Sequence, residues 1–557
     1  MKRPSPAFLL PVLAVSFGLA AGCASRGPGY GAPDARPAPL FEDLGDHHYE
    51  ITTKSPRAQK YFDQGLTLAY GFNHREAVRS FVEGARLDAS CAMCWWGASL
   101  ALGPNINTPM FPEDVAPAWE YLQKAQAAAP GVSAKEQALI AALSKRYAPK
   151  QPEDRKPLDR AYADAMRAVV AQYPDDLDAA ALYAEALMDT TPWNYWGKDG
   201  QPRPETPEIM ATLERVLSKK ADHVGATHFY VHATEASPDP AKGVPAADRL
   251  RGLVPGAGHL VHMPGHTYLR VGRYADASDV NEKAILADRS YVAQCHAQGV
   301  YPLAYVPHNY HFLWSSASFE GRSKRAIEAA REMASHQDHK MMRVEGLAQL
   351  QDFWATPIYA LARFGRWDEA LQEPRPAKDL LYPTGVWHYS RGMALAAKGD
   401  LAAAERELAA LDAISRDPAM GKLTFFDINT AARVLAVGRE VLGGELASRR
   451  KDWGTAVARL SEALRLEQEL TYTEPPQWHA PVRHNLGAVL LAAGRAVDAE
   501  KVYRDDLAYW PENGWALFGL KQALEAQGKA EEAAEVAARF QKAWSRADVT
   551  LTASRFE

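Results

Sequence analysis

A glycine-punctuated period of 34 residues constrains this chain more than any other feature. Gly365 and Gly399 are 34 apart, Gly494 and Gly528 are 34 apart, and Ala499 and Ala533 repeat the interval. Each glycine separates two Ala- and Leu-rich stretches, as in YALARFGRWDEAL, MALAAKGDLAAAE and VLLAAGRAVDAE. Glycine ends one helix, and its small volume lets a second helix pack closely. One such helix pair cannot cover its own apolar face, so successive pairs must stack and bury a shared core. The expected fold class is therefore all-α, a solenoid of helix pairs. With 557 residues the chain can hold many of them. The formal net charge of −5, with no basic stretch interleaved with aromatics, argues against a nucleic-acid partner.

These segments resemble the tetratricopeptide repeat, in which small residues lie at repeat positions 8 and 20, a turn near 15, and proline often at 32. Gly65 at position 8 puts Ala77 at 20, Phe81 at 24 and Gly84 at 27. Gly487 at position 8 puts Gly494 at 15, Ala499 at 20, Tyr503 at 24 and Pro511 at 32. Further pairs fit around Gly392/Ala404 and Gly444/Ala456. The resemblance implies an α-α superhelix whose first helices line a concave groove through positions 2, 5, 9 and 12. Those spacings form one stripe on a helix. The expected division is N-terminal repeats over 46–222, a histidine-rich centre over 223–340 and C-terminal repeats over 341–557.

The N-terminus reads as a targeting signal. Lys2 and Arg3 precede an apolar run from Ala7 to Ala21, too short to favour a permanent span, and Gly22 leads to Cys23. The pattern resembles a bacterial lipoprotein leader over residues 1–22, cleaved before a lipidated Cys23, although Leu19 stands one place further from the cysteine than usual. Plain secretory cleavage is the alternative. Residues 23–45, rich in Gly, Pro and Ala, are expected to be a flexible tether. The expected location is the cell envelope, at the outer membrane facing the periplasm, with the lipid as the membrane partner.

The histidines carry the functional signal. Of 17 in the chain, nine fall between His223 and His311, in the strings HFYVH, HLVHMPGH and HNYH. On the repeat that starts at 258, His259 is position 2, His262 position 5 and His266 position 9. On the preceding repeat, His228 is position 5, His232 position 9 and Glu235 position 12. After an insertion over 292–306, His308 is position 2 and His311 position 5. Seven histidines and one glutamate thus fall on groove positions of three consecutive repeats. Neighbouring first helices pack about 10 Å apart, so their imidazoles can converge. Pro264 interrupts the helix between His262 and His266, and that helix could instead begin at the proline.

Clustered imidazole binds transition metals, here copper first, then zinc, then iron, and seven ligands are enough for one or two ions. Glu235 could be a ligand, could orient an imidazole, or could be the general base of a zinc hydrolase. A copper- or iron-dependent oxidoreductase, a metal carrier, and a metal-free scaffold binding a peptide or protein partner are the alternatives, with a peptide or small molecule as the expected groove ligand. Cys91 and Cys94 suit a disulfide, a redox pair or a soft-metal site, but Trp95 stands where haem attachment needs histidine. Cys295–His296 is a weak candidate for further ligation. The loop over 190–207 reads equally as a lid or as rigid surface. Neither a phosphate-binding loop nor a serine elbow occurs. Together GFNHREA, CAMCWWGASLALGPNIN, HFYVHATEAS, HLVHMPGHTYLRVGRYADA and HNYHFL resemble a bacterial group of secreted tetratricopeptide proteins. That implies the fold and the weight of these histidines, and names no substrate.

Overall fold

The computed structural model describes residues 37–295 and 301–556, so the leader, Cys23 and most of the tether lie outside the described residues. The chain is built of paired α-helices, and a two-strand hairpin pairing Thr424–Phe425 with Asn429–Thr430 is the one sheet among the described residues. The tetratricopeptide register holds in detail. At turn position 15, Gly272, Gly321, Gly365, Gly399, Gly494 and Gly528 all have positive φ, from 63° to 87°. Lys451 and Phe72 occupy the same position in their repeats and adopt the same left-handed conformation, with φ of 60° and 57°. The turn geometry thus persists where glycine does not.

Position 8 is small because position 24 fills the space above it. A Cβ on Gly65 would lie 2.7 Å from the Phe81 ring, one on Gly487 2.4 Å from Tyr503, and one on Gly444 2.6 Å from Leu460. Close helix approach and a large buried side chain are two halves of one contact.

The structure forms two compact units. The first comprises residues 46–220 with the segment ending at Leu40, and the second residues 221–557 with Phe41–Gly45. In the first, Cys91 and Cys94 form a disulfide at the head of the helix Ala92–Leu100. The 190–207 loop is pinned there by Trp193, whose Nε1 donates to Asn107 Oδ1 at 3.0 Å. The far end of the expected tether is packed: the Ala38 carbonyl accepts from Tyr61 Oη at 2.9 Å. In the second unit, the Asp43 carbonyl accepts from the Gly256 amide at 2.7 Å. No helix among the described residues is long and apolar enough to cross a membrane.

The second unit begins with α1 (Val224–Glu235) and α2 (Val244–Leu253), then α3 (Gly258–His262), α4 (Pro264–Arg270) and α5 (Tyr274–Cys295). Next come α6 (Val306–Phe319) and α7 (Ser323–Ser335). Its last pairs are α8 (Val482–Ala492) with α9 (Ala496–Tyr509), and α10 (Gly514–Ala526) with α11 (Ala530–Ala543). These last pairs return to the first ones. Trp510 packs with Leu269, Tyr274, Phe312 and Phe319, and Trp515 Nε1 donates to the Ser318 carbonyl at 2.9 Å.

Residues 547–556 then pack back along the unit, with Leu551, Ser554 and Arg555 buried and Asp548, Thr550 and Thr552 exposed. Asp548 accepts from the amides of Ser323 and Lys324, at 2.7 and 3.0 Å, and so caps the N-terminus of α7. Further on, Gln522 donates to the Thr552 carbonyl, Ser554 Oγ donates to the His484 carbonyl, and Arg555 pairs with Glu445. Glu445, His484 and Gln522 are groove positions 9, 5 and 9 of their repeats. The chain's own segment therefore lies where a groove-bound peptide would lie.

Candidate metal centre

Two groups of three imidazoles stand side by side inside the second unit. The ligand atoms of His228, His232 and His259 lie within 4.8 Å of one another, and so do those of His262, His266 and His308. The first group joins α1 to α3, and the second joins α3, α4 and α6. Pro264 divides the expected single helix, and Met263 separates α3 from α4. His259 and His262 nevertheless remain helical, and His266 follows on the next short helix. The ring pairs His228–His232, His228–His259, His262–His266 and His262–His308 have centroids 4.9, 5.0, 4.7 and 4.9 Å apart.

An open groove is expected from the repeat. The structure instead buries five of these histidines to 0–2% exposure, with His308 partly buried. His311, expected among the ligands, is not brought to either group. Its ring stacks on Trp314 at 5.6 Å and meets Phe353 edge-on. Position 8 of this repeat holds Trp314, the indole on which the His311 ring stacks.

Around the imidazoles lies an orienting layer. Glu235 accepts from His232 Nδ1 at 2.9 Å through one carboxylate oxygen and from His266 Nδ1 through the other. One carboxylate thus holds one ring of each group, turning the far nitrogen of each inward. Of the three roles expected for Glu235, this geometry fits the orienting one, because both oxygens are taken. His262 Nδ1 donates to Asn281 Oδ1 at 2.7 Å, and Asn281 Nδ2 is fixed by the Ala277 carbonyl at 2.7 Å. His262 Nε2 and His266 Nε2 face each other at 2.8 Å, the distance of a shared proton.

Glu474 was not foreseen. It arrives on the strap between the helix Trp453–Glu469 and α8, and its Oε2 lies 2.7 Å from His266 Nδ1. Asn429 clamps the strap at Thr471 by two hydrogen bonds, and Gln477 Nε2 donates to Asp352 Oδ2 at 2.9 Å. No spacing in the sequence connects Glu474 to a histidine over 200 positions away. Asn281, by contrast, had a signal. It occupies position 24, where other repeats place Phe81, Leu460 or Tyr503, and there it faces Gly265.

Asp288 supports the first group from behind. It accepts from Tyr301 Oη at 2.8 Å and from Asn309 Nδ2 at 2.6 Å, and Tyr301 Oη in turn accepts from the His259 amide at 3.2 Å. Burial pushes the Asp288 carboxyl up to about 7, against those two hydrogen bonds.

Burial also holds His232, His259, His262 and His308 well below the usual imidazole range. Neutral imidazole is the form that binds a metal. For His266 burial acts the same way, but Glu235 and Glu474 override it and push the ring up to about 10. Burial and the Glu235 charge push Glu474 up to about 8. The metal-free centre therefore carries its proton on His266, beside His262. Two nitrogens bound tetrahedrally at about 2.0 Å stand about 3.3 Å apart, so an ion replacing that proton asks for a shift of only about 0.5 Å.

No family model matches the chain, and no curated protein sequence matches it. Among solved structures it is similar to the human IFIT1 dimer with m7Gppp-AAAA, at 11% identity and a TM-score of 0.31, covering 88% of this chain and 91% of that one. It is similar also to Cut9 of the APC/C Cut9–Hcn1 hetero-tetramer, at 14% identity and 0.29, covering 87% and 76%. A third is the P58(IPK) TPR domain, at 10% identity and 0.22, covering 85% and 99%. At such scores these likenesses assign neither ligand nor chemistry, and the tetratricopeptide-type fold of this chain stands on its own repeats.

Proposed function

We propose that the second unit is a transition-metal protein whose seats are His228/His232/His259 and His262/His266/His308. The observation that carries this is the pair of three-imidazole groups, buried except for the partly buried His308 and joined by the Glu235 carboxylate. All-nitrogen ligation favours copper, then zinc, then iron. Copper makes an oxidoreductase or a carrier the reading to test first. A zinc hydrolase with Glu235 as base has less support, because both carboxylate oxygens already hold imidazoles. A peptide scaffold has less support too, because residues 547–556 lie along groove positions of the C-terminal repeats. Elemental analysis of the purified chain, loaded with copper or zinc and desalted, should find two ions. The folded His228→Ala/His262→Ala/His308→Ala variant should hold none. A folded wild-type chain that retains no ion under either loading ends this reading.

We further propose a cell-envelope location through a lipid on Cys23; the lipoprotein-like leader and the Cys91–Cys94 disulfide, which suits an oxidising compartment, support it. In cells grown with labelled fatty acid, the wild type should carry label and fractionate with membranes, and Cys23→Ser should do neither. An unlabelled wild type would leave plain secretion.

A further inference from the structure

The two seats are in ring contact. His232 and His266 lie 5.7 Å apart between centroids, and His259 and His262 lie 5.8 Å apart, so no protein layer separates the groups. Their orienting group is shared, because Glu235 holds His232 of one seat and His266 of the other. The charge balance adds a second constraint. Two divalent ions on six neutral imidazoles bring a charge of +4 into a buried site. Glu235 and Glu474, with Asp288 behind His259, return at most −3, and Arg270, which donates to the Glu235 carbonyl at 2.6 Å, adds a cation, so the balance stays positive. Charge buried without compensation is costly, so a loaded centre recruits an anion. The walls limit its size. The Phe312 ring stands 4.4 Å from His266, 4.7 Å from His262 and 5.0 Å from His308, and Tyr305 stands 4.9 Å from His259.

We infer that the two ions bind as a coupled pair bridged by one small oxygen-donor anion of hydroxide size. This rests on the metal reading above and extends it to a ligand class. Adjacent ions clamped on one bridging ligand are the arrangement that two-metal sites use to hold and polarise a small oxygen donor. Here the protein contributes fixed imidazole directions through Glu235 and Asn281, and a wall that admits nothing bulky while the strap is closed.

The test loads the full chain with two equivalents of Cu(II) and uses azide as the probe. A bridged pair should give an electron paramagnetic signal integrating to well under half of two spins. It should also give a new absorption band on titration with azide, saturating at one azide per two copper ions. His308→Ala, which leaves the other seat intact, should bind one copper with a full single spin. Where that variant misfolds by circular dichroism, His228→Gln makes the same comparison from the other seat. Two bound ions showing two full spins, or two azides per chain, would overturn the bridge while leaving the metal reading in place. No bound copper or zinc would remove both.

Discussion

Replacing Glu235 with alanine should weaken both ions together, by about 10- to 100-fold each, and should cost the metal-free protein about 3 kcal/mol. The carboxylate fixes His232 for one seat and His266 for the other, so one substitution frees a ring in each group. The stability cost has a separate origin. Without metal, His266 is a buried cation, and Glu235 is one of two carboxylates that hold it so. Removing one partner of a buried pair leaves charge without compensation. Glu474 softens the loss, because its proton, now held by burial and by the Glu235 charge, is released once that charge is gone. Glu474→Ala alone should therefore cost less, and the double variant more than the two single losses combined. Competition against a chelator of known affinity reads the first effect, and denaturant unfolding reads the second. Weakening confined to one seat would show that the carboxylate is not shared.

Asp288→Asn should change the pH dependence of stability by about 4 kcal/mol between pH 4 and pH 7. The ordinary aspartate pKa is about 3.9, and burial raises that of Asp288 to about 7. Between those values the folded protein holds a proton that the unfolded chain has released. Folding is therefore favoured at the acid end of the window, and this contribution is lost as pH rises towards 7. Asparagine carries no such proton, yet its amide can still accept from Asn309 and donate to Tyr301 Oη. The variant should gain on the wild type steadily from pH 4 to pH 7, and the gap should stop growing above that. Unfolding curves at pH 5 and pH 8 decide it. A difference that does not change with pH would mean that Asp288 is ionised in the fold throughout.

Most of the helix pairing and much of the candidate site were legible in the sequence, because a repeat register converts residue number into direction. It placed His228, His232, His259, His262, His266 and His308 on one side of consecutive first helices, and the structure gathers those six. The same register misplaced His311, whose ring stacks on Trp314, at position 8 of the same repeat, and meets Phe353. It also implied an open groove, because a period describes how one pair sits on the next and says nothing of how far the array curls. Closure depends on contacts such as Trp510 with Phe319, between residues far apart in the chain. Glu474 reaches the centre only through that closure, so no local pattern could announce it. Asn281 was legible and overlooked, since a polar residue at a position otherwise filled by Phe81, Leu460 and Tyr503 requires a partner inside.

An array of stacked pairs usually frays from its ends, with the outermost pair opening first and at little cost. In the second unit the final stretch is fastened to the head of α7, where Asp548 caps that helix, and further along to Glu445. The histidine-bearing pairs thus have no loose neighbour on that side to peel away. If the centre holds ions as proposed, their exchange with solvent should be slow, because five of its six histidines are buried to 0–2% exposure and the pairs around them are tied down on that side.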